Sequence, residues 1–393
     1  MTRGVYLDYN ATTPVDPRAL ESMMTFLTSE FGNPSSTTHG WGRRARQAVE
    51  EARASLALLL GARPEEICFT SGATESNNLA IKGCARRRAR DGAGNHLVTT
   101  AIEHPSVLET VRDLEREGFR NTVLQPESEG RISPEAVEAA IGPGTILVSV
   151  LSASGEIGTV QPVESIGRLC RERGVVFHTD GTQAVGKLPV DVGRSAVDLL
   201  ALSAHKLYGP KGVGALFVRS GVELDPLLSG GGQERGLRSG TLNVPGIVGL
   251  GTMAAIVSRE METESPRLRA LSEMLWNGIR ERVPDARRNG HPTECLPGTV
   301  NVAFPRVPAE RLMTLLKDFG VSASPACHSG KGGTSPVLAA IGLDPALASC
   351  SVRFGLGHAT TEDDVRKLLE DIGGAVHRIR GPGRRASAPA PGV

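Results

Sequence analysis

The residues best equipped for chemistry stand at two places, Asp180 and the tetrapeptide Ser203-Ala204-His205-Lys206. The short, mostly apolar run 197–202 before the tetrapeptide reads as a buried strand. An earlier run, Val175-Val176-Phe177-His178-Thr179, reads as another strand and ends in the acid Asp180. An acid at one strand end and a lysine just after another is the arrangement that pyridoxal phosphate needs. The lysine amine condenses with the cofactor aldehyde. The carboxylate keeps the pyridine nitrogen protonated, so that the ring accepts electrons. A lone lysine after a strand is ordinarily a surface residue; the company that Lys206 keeps argues otherwise.

That company begins with Ser71-Gly72-Ala73-Thr74-Glu75-Ser76-Asn77, between a strand-like run (66–70) and a helical segment reaching residue 82. Small residues let the backbone approach an anion closely, and a helix N-terminus offers free N–H groups and a favourable dipole. Gly72, Ala73 and Thr74 are therefore expected at the cofactor phosphate. No G-x-x-x-x-G-K-[ST] or G-x-G-x-x-G follows a strand, which weakens nucleotide readings.

The elements that must position these groups alternate from residue 13 to about 259. A helix is expected over 43–60, with Ala45, Val49, Ala52, Leu56 and Leu59 at helical spacing and Gly61 as its stop. Strands are expected over 97–100, 145–151, 175–180, 198–203 and 212–218. Such alternation predicts an α/β fold with a mostly parallel sheet and helices on both faces. Residues 230–241 carry five glycines in twelve and read as a loop.

Beyond about residue 259 the pattern becomes that of a smaller α+β unit. It shows a helix with Leu268, Leu271, Leu275 and Ile279, strands over 299–304, 321–324 and 349–355, and a helix over 309–319. A capping box over Thr360-Thr361-Glu362-Asp363 is expected to open a last helix. The division expected is a large cofactor-binding domain at 15–260, a small domain from 1–14 and 261–379, and a disordered tail from 380.

Hydrophobic content of 39%, charged content of 22% and a formal net charge of +1 suit a globular chain and give no argument for direct nucleic-acid or membrane binding. No apolar run approaches the roughly 20 residues of a membrane span, and the N-terminus enters a strand-like run without a signal peptide. The six cysteines are unpaired as CxxC and too sparse for a disulfide scaffold, so a reducing cytoplasm and no metal site are expected. Cys68, Cys170 and Cys350 are expected to be buried and inert.

With these motifs in order, the chain resembles a cysteine desulfurase of the class V aminotransferase group, on the type I pyridoxal phosphate fold. The resemblance runs from Tyr6-Leu7-Asp8-Tyr9-Asn10-Ala11-Thr12-Thr13-Pro14 to the region of Arg353. Between them lie Phe31-Gly32-Asn33-Pro34-Ser35, Glu103-His104, Glu156-Ile157-Gly158, Arg235-Gly236-Leu237-Arg238-Ser239-Gly240-Thr241 and Ala326-Cys327. It implies that His104 stacks on the pyridine and shuttles protons, and that Gln183 donates to the cofactor phenolate oxygen. Thr74, Ser203 and His205 would hold the phosphate, and Thr241 would reach the phosphate of the other subunit of a homodimer. Arg353 would pair with the substrate carboxylate, a task suited to its planar fork. Cys327 would be the nucleophile, taking sulfur from L-cysteine as a persulfide and passing it to an acceptor protein; His328 and Lys331 favour its thiolate.

Two departures stand out. Where the family shows Asn-Asn-Glu-Ile-Gly, this chain has Ser154-Gly155-Glu156-Ile157-Gly158, so Gly155 offers no side chain to the substrate carboxylate. The nucleophile lies in Pro325-Ala326-Cys327-His328 rather than the Ser-Ala-Cys-Thr-Ser of housekeeping iron–sulfur members. Both resemble the desulfurase branch of the bacterial DNA phosphorothioation system. Iron–sulfur or other sulfur supply and selenocysteine lyase are the alternatives; an inactive scaffold fits poorly with Lys206, Asp180, His104, Cys327 and Arg353 all in place.

Overall fold

A computed structural model describes residues 4–323 and 335–381. The chain opens with β1 (Val5–Tyr6), α1 (Pro17–Thr28) and α2 (Gly40–Leu60). Seven strands follow: β2 (Ile67–Thr70), β3 (His96–Thr100), β4 (Arg120–Leu124), β5 (Thr145–Ser149), β6 (Val176–Asp180), β7 (Leu199–Ser203) and β8 (Gly214–Val218). They form one sheet in the order β2-β8-β7-β6-β5-β3-β4. Every pairing from β7 to β4 is parallel, and β8 runs antiparallel to both its neighbours. Four helices are interspersed with these strands: α3 (Ala73–Arg90), α4 (Pro105–Arg116), α5 (Pro134–Ala140) and α6 (Val163–Glu172). Next comes α7 (Val244–Arg282).

Alternating side chains of these buried strands feed two cores, one on each face of the sheet. Leu200 and Leu202 of β7 pack with α2, α6 and the first half of α7, whereas Leu199 packs with α3 and α4. A third core lies beyond the sheet. It gathers Leu268, Leu271, Leu275 and Ile279 of α7 with β10 (Thr299–Ala303), β13 (Ser351–Gly355) and α11 (Glu362–Arg380). Strands β9 (Arg287–Asn289) and β12 (Ser322–Ala323) complete the four-stranded antiparallel sheet β12-β13-β10-β9, and β11 (Phe319–Gly320) pairs with β1. Helices α8 (Ala309–Leu315), α9 (Pro336–Ala340) and α10 (Pro345–Ala348) fill the connections.

The α/β fold with a mostly parallel sheet is as expected, and several local readings need correction. Helix α7 is one element of 39 residues, with Pro266 inside it. Its early glycines are packing residues: a Cβ on Gly251 would lie 2.4 Å from Cα of Ala52 in α2. Helix α8 stops at Leu315, the strand expected at 321–324 is found as β12 (Ser322–Ala323), and β11 (Phe319–Gly320) before it stands where the helix was expected to end. The last capping box sits one residue later, with Thr361 Oγ1 accepting from Asp364 N, because Thr360 Oγ1 instead accepts from Gly357 N in the preceding loop. Arg380 closes α11 and donates to Asp285 and to the carbonyl of Pro305, so it belongs to the helix rather than to a tail. Cys68, Cys170 and Cys350 are buried. Among the described residues no helix is long and apolar enough to cross a membrane.

Candidate active site

The sequence-predicted groups collect where the sheet strands end. Asp180 is the last residue of β6, Ser203 the last of β7, and the β3 end leads through Glu103 to His104. Ligands of open α/β sheets bind outside these carboxyl ends. Residues Thr70, Gly214 and Ser203 lie abreast across β2, β8 and β7. Gly214 is required there: a Cβ on it would lie 2.6 Å from Cα of Gly72. That close approach brings the N-terminus of α3 over the end of β7.

Gly72 is the N-cap of α3, with φ of 148° and no side-chain cap, so the first N–H groups of the helix carry no capping oxygen. A Cβ on Gly72 would sit 3.6 Å from Ser203 Oγ. Ala73 and Thr74 form the first turn, and Thr74 is exposed. Asp180 is 7% exposed; its carboxylate accepts from Asn77 Nδ2 at 2.8 Å and from Thr182 N at 2.9 Å. Asn77 Nδ2 also donates to Ser106 Oγ, which bonds His104 Nδ1 at 2.8 Å. His104 thereby caps α4 and is linked through two side chains to Asp180.

Lys206 Nζ donates to the carbonyls of Asn10 at 2.5 Å and Ala11 at 2.7 Å. The carbonyl of Asn10 also accepts from Gln183 Nε2 at 3.0 Å, and Gln183 Oε1 accepts from Lys187 Nζ at 2.8 Å. Burial, followed by the charges of Lys206 and Arg353, pushes the Lys187 amine down to about 7. His205 is held to Thr12 Oγ1 at 3.1 Å; burial and then the Lys206 and Lys211 charges push its ring down to about 4, so it is neutral at pH 7. Burial likewise pushes His178 down to about 4. Glu103 goes the other way: burial pushes its carboxyl up to about 8, with Asp180 adding to the rise.

Arg353 of β13 lies in the small sheet, yet its guanidinium reaches back to this site. Nη1 donates to the carbonyl of Gly155 at 3.0 Å and Nη2 to Asp8 Oδ1 at 2.7 Å. Asn10 Nδ2 donates to the same Gly155 carbonyl at 3.0 Å. Gly155 has a steric reason here, since a Cβ on it would lie 2.6 Å from Gln183 Nε2. Thr241 is exposed at the end of the glycine-rich loop. Cys327, with His328 and Lys331, lies outside the described residues. Sequence reasoning missed Asp8 and Asn10 as site residues, although both lie in the 6–14 stretch that carries the family resemblance. Among the described residues no group of side chains could hold a metal ion.

The residues present fit pyridoxal phosphate: an uncapped helix N-terminus beside Ser203, a buried carboxylate at a strand end, and a lysine one turn beyond the next strand. The family model "Aminotransferase class-V" matches residues 5–368. The chain belongs to the class V aminotransferase family. It is 48% identical over 384 residues to a protein of Salmonella arizonae named cysteine desulfurase IscS, covering 97% of this chain and 94% of that one. Among solved structures, a NifS-like protein superposes with a TM-score of 0.88 at 38% identity, over 94% of this chain and 98% of the other. DndA from Streptomyces lividans superposes with a TM-score of 0.76 at 38% identity, over 88% of this chain and 97% of the other. Pyridoxal phosphate is the cofactor of this family.

Proposed function

We propose that this class V aminotransferase is a pyridoxal-phosphate-dependent L-cysteine desulfurase, working as a homodimer and passing sulfur from Cys327 to an acceptor protein. The observation that carries the reading is the path joining Lys206 to Arg353. The lysine donates to the carbonyl of Asn10, and the amide of Asn10 shares the Gly155 carbonyl with the arginine. A cofactor-binding amine is thus joined through two residues, Asn10 and Gly155, to a guanidinium suited to a carboxylate, as an α-amino acid substrate requires.

The bound cofactor supplies an electron sink that labilises bonds at the substrate's α and β carbons. The chain does the rest. The first turn of α3 with Gly72, Ala73 and Thr74, together with Ser203, His205 and a partner's Thr241 hydroxyl, would hold the phosphate. Asp180, held by Asn77 and Thr182, would meet the pyridine nitrogen. His104, held through Nδ1, would use its other nitrogen to move protons at the cofactor. Gln183 would turn its amide to the phenolate oxygen. Lys206 would bind the aldehyde and carry the substrate's α proton. The Cys327 thiolate attacks the substrate sulfur, so that an S–S bond forms as the C–S bond breaks; alanine leaves and Cys327 retains the persulfide.

For the acceptor, the glycine at 155 and the Pro325-Ala326-Cys327-His328 sequence support the DNA phosphorothioation branch. Deleting the gene in its host and measuring phosphorothioate linkages and iron–sulfur enzyme activity tests this. Loss of the second alone would assign the chain to iron–sulfur supply.

The reaction is tested by incubating the purified holoenzyme with L-cysteine and dithiothreitol and assaying alanine and sulfide. The wild type should release both in equal amounts, and Cys327→Ala neither. Borohydride should fix the cofactor to the peptide containing Lys206. Labelling of another lysine would overturn the site assignment.

A further inference from the structure

Among the described residues, Asp8 is the one carboxylate that Arg353 meets, and its second oxygen is engaged as well. Oδ1 accepts from Arg353 Nη2 at 2.7 Å, and Oδ2 accepts from Ser322 Oγ at 2.8 Å. The side chains are almost enclosed, with 7% of Arg353 and 15% of Asp8 exposed. The backbone fixes the aspartate too, because Asp8 forms a parallel bridge with Gly355, two residues beyond Arg353. A guanidinium has five N–H donors. Here Asp8 and the Gly155 carbonyl each take one, at opposite Nη ends, while the buried Nε has no partner.

We propose that Asp8 is a positioning residue for substrate recognition, clamping Arg353 between itself and the Gly155 carbonyl so that its remaining donors are aimed at the substrate carboxylate. The inference rests on the reading of Arg353 as the carboxylate-binding group. Its physical basis is the freedom that an arginine side chain otherwise has. Without Asp8 the guanidinium keeps a single neutral tether at Gly155, and a buried cation loses its counter-charge. Such a group turns toward whatever acceptor or water it can reach, and an orientation set before binding is lost. Gly155 offers no side chain, so the clamp is formed by its carbonyl and Asp8. Ser322 fixes the far oxygen of Asp8, which keeps the carboxylate from rotating away.

The test is steady-state kinetics of the holoenzyme with L-cysteine. Asp8→Ala should raise KM about tenfold, equivalent to about 1.4 kcal/mol of lost binding, with kcat within threefold of wild type. Asp8→Asn retains an oxygen for Arg353 and an amide that Ser322 Oγ can accept, and should hold KM within threefold. Ser322→Ala removes only the second tether and should raise KM two- to threefold, giving a reading even where Asp8→Ala fails to fold. Arg353→Ala should raise KM at least tenfold, and adding Asp8→Ala to it should change nothing further. If Arg353→Ala leaves KM unchanged, the carboxylate reading itself fails. If Arg353→Ala raises KM while Asp8→Ala and Ser322→Ala do not, only the positioning role fails. A lower KM in Asp8→Ala would also overturn it, because Asp8 would then compete with the substrate for the guanidinium.

Discussion

At the scale of single residues, Glu103 carries a consequence for stability. One carboxyl oxygen accepts from Thr100 Oγ1 and Leu151 N, the other is buried without a partner, and the side chain has almost no contact with water. Burial raises its pKa from the ordinary 4.5 to about 8. The folded protein therefore keeps a proton that the unfolded chain gives up above about 4.5, and the stability tied to that proton declines as pH rises toward 8. Glu103→Gln, with a neutral amide of the same shape, escapes the decline. Thermal melts at pH 5, 6.5 and 8 should show the variant gaining on the wild type at each step; a constant difference would mean that Glu103 is ionised throughout. Asp180, its neighbour at the strand ends, gives a companion expectation. Asp180→Asn should retain cofactor absorbance but lose most turnover, by about 100-fold or more if the acid keeps the ring protonated. Asp180, Lys206 and the Gly72 turn were legible because each follows a strand within a few residues. Asp8 and Asn10 were not, because their partners lie 145 to 345 positions away and no local pattern says which distant donor a carbonyl or carboxylate will meet.

At the scale of elements, the glycine-rich loop is anchored by an ion pair. Glu234 sits in that loop with φ of 47°, followed by Arg235 with φ of 57°. Left-handed backbone of this kind in residues other than glycine costs about 1–3 kcal/mol each and persists only where surroundings enforce it. The enforcement is Arg53 of α2, which grips both oxygens of Glu234 at 2.8 Å and also donates to the carbonyl of Ile67; Phe69 N donates to Glu234 at 2.7 Å. Arg238 adds a second tie, to Glu75 in the first turn of α3. The loop is thereby fixed to the β2–α3 turn that would receive the phosphate. Glu234→Ala takes the buried partner from Arg53, which keeps the exposed Glu50 and the Ile67 carbonyl, and leaves one strand N–H unpaired; it should lower unfolding stability by about 3 kcal/mol, read as a reduced urea midpoint at unchanged slope. A shift under about 1 kcal/mol would show that the pair is dispensable. The glycines marked this segment as a loop in the sequence, but nothing local marked Glu234 as buried, because its partner Arg53 lies far away in the chain. Six of the seven strands of the large sheet were legible to within two residues from their apolar runs, but β4 was not, because Arg120-Asn121-Thr122-Val123-Leu124 is only partly buried and shows no apolar run. The full extent of α7 was hidden, because its glycines are spaced for contact with α1 and α2 rather than for turning the chain.

At the scale of the whole molecule, the outer face of α1 and the segment after it are where the proposed homodimer can be tested. Leu20, Met24 and Leu27 form one helical stripe in α1, and all three are exposed. Phe31 is 72% exposed and Trp41 56%. These last two segments touch, since a Cβ on Gly32 would lie 2.3 Å from the backbone of Trp41. An exposed collection of large apolar side chains of this kind marks an interaction surface. The wild type should elute with a light-scattering mass twice that of its 41.4 kDa chain, and Leu27→Asp with Phe31→Asp should shift it toward the monomer and lower activity. Whether the two copies share their sites is a separate matter, decided by complementation. Lys206→Ala lacks the cofactor lysine but keeps Thr241; Thr241→Ala keeps the lysine but lacks the hydroxyl expected to reach across. Co-expressed in equal amounts, the two chains form mixed dimers in half of the population. If Thr241 serves the partner's phosphate, each mixed dimer has one intact site of two, and activity should recover to about a quarter of wild type. If Thr241 serves its own chain, the site with the lysine still lacks its hydroxyl and co-expression recovers nothing beyond the residual activity of Thr241→Ala. Thr241 is exposed at the end of its loop, so its hydroxyl is open to another chain, and the activity of the mixed dimers decides which site it serves.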